Sequence, residues 1–101
     1  MAINVYLQTL DGKKEGEVFD LNNALAKLWP TGDKSFPLLQ YIDPYGNVVF
    51  NAAQMAEVQR ELDLISARSS NDEQREVLRK IRDLAGKGQE HPHKFLRFRG
   101  D

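Results

Sequence analysis

Two histidines bracket a proline at His91-Pro92-His93, with Glu90 before them and Lys94 after them. A positioned histidine is the most frequent general acid or base. His91 or His93 working with Glu90 or Asp43 is therefore one way this chain could carry out a hydrolysis. Metal chemistry asks for three or four ligands in a defined geometry. The pair supplies two, and the chain has no cysteine to add. Neither a metal nor a cofactor is expected. Asp43 opens the run Asp43-Pro44-Tyr45-Gly46, where an aspartate accepts amide hydrogen bonds two residues on and shapes a turn. Asn51 and Gln54 stand three apart, the spacing with which a helix start satisfies its own free amides. There is no Gly-rich phosphate loop, no His-Glu-x-x-His and no nucleophile elbow. The expected number of catalytic residues is none.

Recognition chemistry is better represented. Arg97 and Arg99 alternate with Phe98 and follow Phe95, so both project to one side of an extended segment with Phe95 in line. An arginine pair beside an aromatic can hold a carboxylate or a phosphate. Tyr45 sits at the tip of a turn, where a ring offers area and a hydroxyl offers direction. Trp29 precedes Pro30 at the mouth of a loop that carries Asp33. Tyr45, Trp29, Arg97, Arg99 and Asp33 are the expected contacts to a partner.

The elements that position these residues read from periodicity. Ile3, Val5 and Leu7 alternate with Asn4, Tyr6 and Gln8, a half-buried strand over 2–9. Asp11-Gly12 begins a turn, 13–17 reads as a charged loop, and Val18-Phe19 reads as a short strand or a hydrophobic lead-in. Asp20 stands as cap to a short helix holding Leu21, Ala24, Leu25 and Leu28, which Trp29-Pro30 ends. Leu38 to Ile42 reads as a second strand and Asn47 to Phe50 as a third, antiparallel to it across the Pro44 turn. Asn51 caps a helix to about Arg68, with Met55, Val58, Leu62 and Ile65 on one stripe. Ser70 to Glu73 matches a capping box for a third helix, which Gly86 and Gly88 should weaken and stop. A last strand, 93–99, puts Leu96 and Phe98 opposite Phe95, Arg97 and Arg99. The expected fold is α+β, a four-stranded, mainly antiparallel sheet with two longer helices and one short one, in the order β-α-β-β-α-α-β. The first and last strands are expected to pair.

At 101 residues the chain is one domain, 1–101. The net charge is −1, with six basic and nine acidic residues over 1–70 and eight basic and six acidic over 71–101. That excess falls far short of the basic footprint of a nucleic-acid-binding domain. The start lacks a signal-peptide pattern. No apolar run approaches the roughly 18 residues a membrane span needs. A cytoplasmic protein that does not enter membranes is expected.

Tyr41-Ile42-Asp43-Pro44-Tyr45-Gly46, then Phe50-Asn51 and Gln54-Met55, resembles the signature of a group of small bacterial proteins of unknown activity. Those proteins also tend to end in a histidine, an aromatic-rich strand and Gly-Asp, here His93, Phe95 to Phe98 and Gly100-Asp101. Arg99 departs from that pattern, which has an apolar residue before the Gly-Asp. In size and style the chain is also similar to immunity proteins of toxin–immunity systems. That likeness implies a non-enzymatic protein that binds a protein partner, a toxin domain among the candidates. The alternatives are the small hydrolase built on His91 or His93, and a weak nucleic-acid module built on Phe95, Arg97 and Arg99.

Overall fold

The structure, a computed structural model, describes residues 3–20 and 22–100. Ala2 of the expected first strand, Leu21 of the expected first helix and Asp101 of the Gly-Asp end lie outside the described residues. Four strands form one sheet: β1 (Asn4–Thr9), β2 (Lys14–Phe19), β3 (Asn47–Phe50) and β4 (Lys94–Arg99). They lie in the order β2-β1-β4-β3, every neighbour antiparallel. Helix α2 (Asp72–Gln89) lies against β1, β2 and β4, and α1 (Met55–Ala67) packs on α2. Short 3-10 turns occupy Leu39–Tyr41 and Ala52–Gln54. The class is the expected α+β fold, and β1 pairs with β4 as expected of the first and last strands.

The alternation of β1 and β4 decides which sheet face is dry. Val5, Leu7, Leu96 and Phe98 are all buried on the helix side, and Phe50 and Val18 join them from the two edge strands. Met55, Val58, Leu62 and Ile65 of α1 and Leu78, Ile81, Leu84 and Ala85 of α2 close the core from above. Trp29 and Phe50 both meet the Phe98 ring edge to face, at 5.8 and 5.7 Å between centroids.

Three stretches differ from expectation. Residues 14–17, expected as a charged loop, are part of a strand that runs on through Val18 and Phe19. As an edge strand it needs few apolar side chains: Val18 faces inward, and Gly16 lies inward without a side chain. A Cβ on Gly16 would stand 2.6 Å from Leu84 Cδ2, so a bare backbone is what lets α2 approach. Residues 22–29 are a chain of tight turns rather than a helix. Asn23 adopts φ 51°, which interrupts a right-handed run. The buried Asp20 carboxylate still caps the segment, accepting from the amides of Ala24 at 2.8 Å and Leu25 at 2.9 Å. Leu38 to Ile42 is not a strand. It forms the Leu39–Tyr41 turn, and β3 pairs with β4 instead.

The helix starts follow capping chemistry. Asn51 and Gln54 exchange the two bonds of a capping box, at 2.9 and 3.2 Å. The cap of α2 is Asn71, one residue later than expected, which accepts from Gln74 N at 2.8 Å. Helix α2 also runs through both glycines to Gln89. Gly88 faces inward, where a Cβ would stand 3.1 Å from Leu7 Cδ1 and 3.3 Å from Met55 Cε. Close packing on the sheet offsets the helix penalty of about 1 kcal/mol that glycine carries.

Candidate functional site

Both helices cover one face of the sheet, and the side chains of the other face form cross-strand rows. Phe19, Asn4, Arg99 and Asn47 make one row; Glu17, Tyr6, Arg97 and Val49 the next; Lys14, Gln8 and Phe95 the third. Phe19 and Val49 are exposed large apolar residues. Tyr6 is 7% exposed, and the Lys14 ammonium lies 4.4 Å from its ring centroid. Lys14 also pairs with Glu17 at 3.2 Å.

Arg97 is half-buried at the middle of this face. Its Nε donates to Gln8 Oε1 at 2.8 Å, which fixes the plane of the guanidinium and leaves both Nη groups to other acceptors. Arg99 is exposed between Asn4 and Asn47. The helix arginines are satisfied within the fold. Arg60, Arg75, Arg79 and Arg82 pair with Glu57, Asp72, Glu76 with Asp83, and Asp63. Arg68 lies over the Phe36 ring at 4.7 Å. Among the described residues no carboxylate pairs with Arg97 or Arg99. Among the described residues the face therefore sets Lys14, Arg97 and Arg99 against Glu17, on a chain whose net charge is −1.

Tyr45 stands at the end of the sheet that Arg99 occupies. The Asp43 carboxylate accepts from Tyr45 N at 2.8 Å, and Gly46 N donates to Asp43 O at 3.1 Å, so Asp43 shapes the turn as expected. Gly100 N donates to Gly46 O at 2.7 Å and straps the turn to the residue after Arg99. Tyr45 is left 73% exposed. Trp29 and Asp33 are not brought to this surface. Trp29 is half-buried against Phe98, on the helix side of the sheet. The Asp33 carboxylate accepts from the hydroxyl and amide of Ser35, which hold its pKa down, with Arg68 adding a smaller pull.

His91 and His93 are both exposed. With Thr9, Leu10, Asp11, Pro92 and Lys94 they line an open hollow of about 360 Å³ at the β1–β2 turn. Its one carboxylate, Asp11, accepts from the Thr9 hydroxyl. Among the described residues no cluster of three or more His, Asp or Glu is arranged to hold a metal ion. Likewise no described helix is long and apolar enough to cross a membrane.

Glu61 is a polar residue that the apolar stripe of α1 conceals. It is fully buried, and its carboxylate accepts from Leu39 N at 2.9 Å and from Leu38 N at 3.2 Å. Burial, then a hydrogen bond shared with Glu57, raise its pKa, and the two amides oppose the rise. Arg60 draws the Glu57 carboxyl down to about 2. The participation of Asn4, Tyr6, Gln8 and Lys14 in the open face was also not anticipated. The signal was present in the β1 alternation, once β1 and β4 are paired in register. Comparison of the chain with protein-family models, curated proteins and solved structures gives no match.

Proposed function

We propose that this chain is a non-enzymatic protein-binding protein, in its most specific form an immunity-type inhibitor of a bacterial toxin, and that the open sheet face is its contact surface. One observation carries the reading. Arg97 and Arg99 lie on a sheet face that no helix covers, without carboxylate partners among the described residues, while Arg60, Arg75, Arg79 and Arg82 are neutralised within the fold. Arginine and aromatic side chains dominate the energetics of protein interfaces, and Tyr45, Phe19 and Val49 supply exposed apolar area around the pair. A rigid sheet presents these groups at little ordering cost, which favours a plug that covers a partner's surface. The immunity form adds the small size and mixed charge of the chain to that surface. Affinity capture from source cells tests it, comparing the native chain with Arg97→Glu/Arg99→Glu. The expected result is a protein recovered by the native chain and lost with the variant, whose toxicity on expression the native chain relieves. Equal recovery by both chains removes the open face as the contact surface, and a captured protein without toxicity removes the immunity form.

A further inference from the structure

The partner's chemistry can be read from the donor pattern of the open face. We infer that this face receives an acidic protein surface, with partner carboxylates on Arg97 and Arg99; the inference rests on the binding role proposed above. Arg97 is oriented before any partner arrives, because Gln8 holds Nε and the residue is half-buried between Tyr6 and Val49. Its two Nη groups present a ready fork to one carboxylate. Arg99 lies between Asn4 and Asn47, whose side-chain amides can each donate to a second. Among the described residues the face carries one carboxylate, Glu17, and Lys14 already neutralises it. An acidic surface therefore meets donors across the centre of the sheet and no uncompensated charge of its own sign.

A nucleic acid would also bring anions, and the geometry disfavours it. Single-strand binders use exposed aromatic faces as stacking platforms. Here Lys14 covers the Tyr6 ring and Phe95 is half-buried, while the exposed Phe19 and Tyr45 stand apart, with Asn4, Arg99 and Asn47 between them, and form no continuous stacking row. Phosphate-backbone binding draws on many basic groups at once, and among the described residues this face offers Lys14, Arg97 and Arg99.

The test is a titration of the isotope-labelled chain followed by NMR with three probes. These are a short peptide alternating glutamate and threonine, the same peptide with lysine for glutamate, and a single-stranded oligodeoxynucleotide. The acidic peptide is expected to shift the Nε–H signals of Arg97 and Arg99 and the backbone amides of Asn4 and Val49. Arg97→Gln/Arg99→Gln should weaken that binding by about tenfold, as loss of charge-assisted contacts does. Arg97→Lys/Arg99→Lys, which keeps the charge and loses the fork, should recover only part of it, and an unchanged amide spectrum elsewhere reports that each variant is folded. No shift with millimolar acidic peptide, equal binding of the lysine peptide, or tighter binding of the oligonucleotide overturns the inference. Occupancy of the face by the lysine peptide would still leave a protein-binding surface in place. That broader reading falls on the separate finding that charge reversal leaves capture unchanged.

Discussion

The buried carboxylate of Glu61 on α1 stands 2.9 Å from the backbone amide of Leu39, at the start of the Leu39–Tyr41 turn. A side chain from one element thus caps another that lies 22 residues away in sequence. Replacing Glu61 with alanine strands the amides of Leu38 and Leu39 and opens a void in the core. An unsatisfied buried donor costs about 1–3 kcal/mol. Glu61→Ala should lower stability by about 3 kcal/mol, and Glu61→Gln, which keeps one acceptor oxygen, by about 1 kcal/mol. Denaturant midpoints of the two variants check this; equal losses would mean that the acceptor is not what Glu61 contributes.

The same residue sets a pH dependence. Its pKa in the folded chain is raised above the ordinary glutamate value, chiefly by burial. The folded state then holds the proton more tightly than the unfolded state does. As pH falls from neutral through the folded pKa toward the unfolded value of about 4.3, Glu61 therefore adds stability. Glu57 runs the other way. Its pKa is pulled down to about 2 by Arg60, so its contribution is present above the unfolded value and is lost as pH falls toward about 2. The native chain should gain stability relative to Glu61→Gln between about pH 7 and pH 4.5. A difference that stays flat or shrinks over that window would contradict the raised pKa.

Much of this fold is legible in the sequence, and the misreadings share a physical cause. The stripes Met55-Val58-Leu62-Ile65 and Val77-Leu78-Ile81-Leu84-Ala85 gave both helices, because a one-sided helix announces its face. Alternation likewise marked β1 and β4 and their buried faces, and the two strands pair as expected. Residues 38–42 misled because an apolar run fits a buried strand or a buried turn equally well. The telling pattern was Phe36, Leu39 and Ile42, spaced by three and each no more than 1% exposed, which suits a 3-10 turn and not a strand. Strand β2 was hidden because an edge strand that buries only Val18 beside a glycine has almost no alternation to show. Of the site, Arg97, Arg99 and Tyr45 were visible as residues. Their grouping with Gln8, Asn4 and Lys14 depends on register, which only long-range pairing sets.

Phe98 is the hub of the aromatic cluster, and Trp29 reports on it. The ring is 1% exposed and takes an edge contact from Trp29 and another from Phe50. Phe98→Ala should cost about 3–5 kcal/mol, as removal of a buried aromatic does. Phe98→Leu should cost less and leave a folded chain. Because Trp29 is the chain's single tryptophan, its fluorescence isolates this contact. The leucine variant should red-shift the emission as water reaches the indole, while far-ultraviolet circular dichroism stays unchanged. An unshifted spectrum would place the indole's environment elsewhere than on Phe98.

Gly100 ties the sheet to the Tyr45 turn more tightly than any side chain would allow. A Cβ there would stand 2.1 Å from the Pro44 carbonyl oxygen and 2.7 Å from that of Asp43, both backbone atoms that cannot rotate away. The close approach is what permits the 2.7 Å bond from Gly100 N to Gly46 O. Gly100→Ala must therefore push the turn away from the end of β4 and break that bond. Only one hydrogen bond and the local packing are lost, so the expected cost is about 1–2 kcal/mol. The displacement matters more than the cost, because Tyr45 moves relative to Arg99 while the helices stay in place. Amide shifts confined to 43–47 and 97–100, with α1 and α2 unperturbed, are the expected signature. If those residues contact a partner together, the same variant should weaken capture without altering the Arg97 Nε–H signal. Shifts spreading through both helices would instead mean that Gly100 supports the core rather than the site.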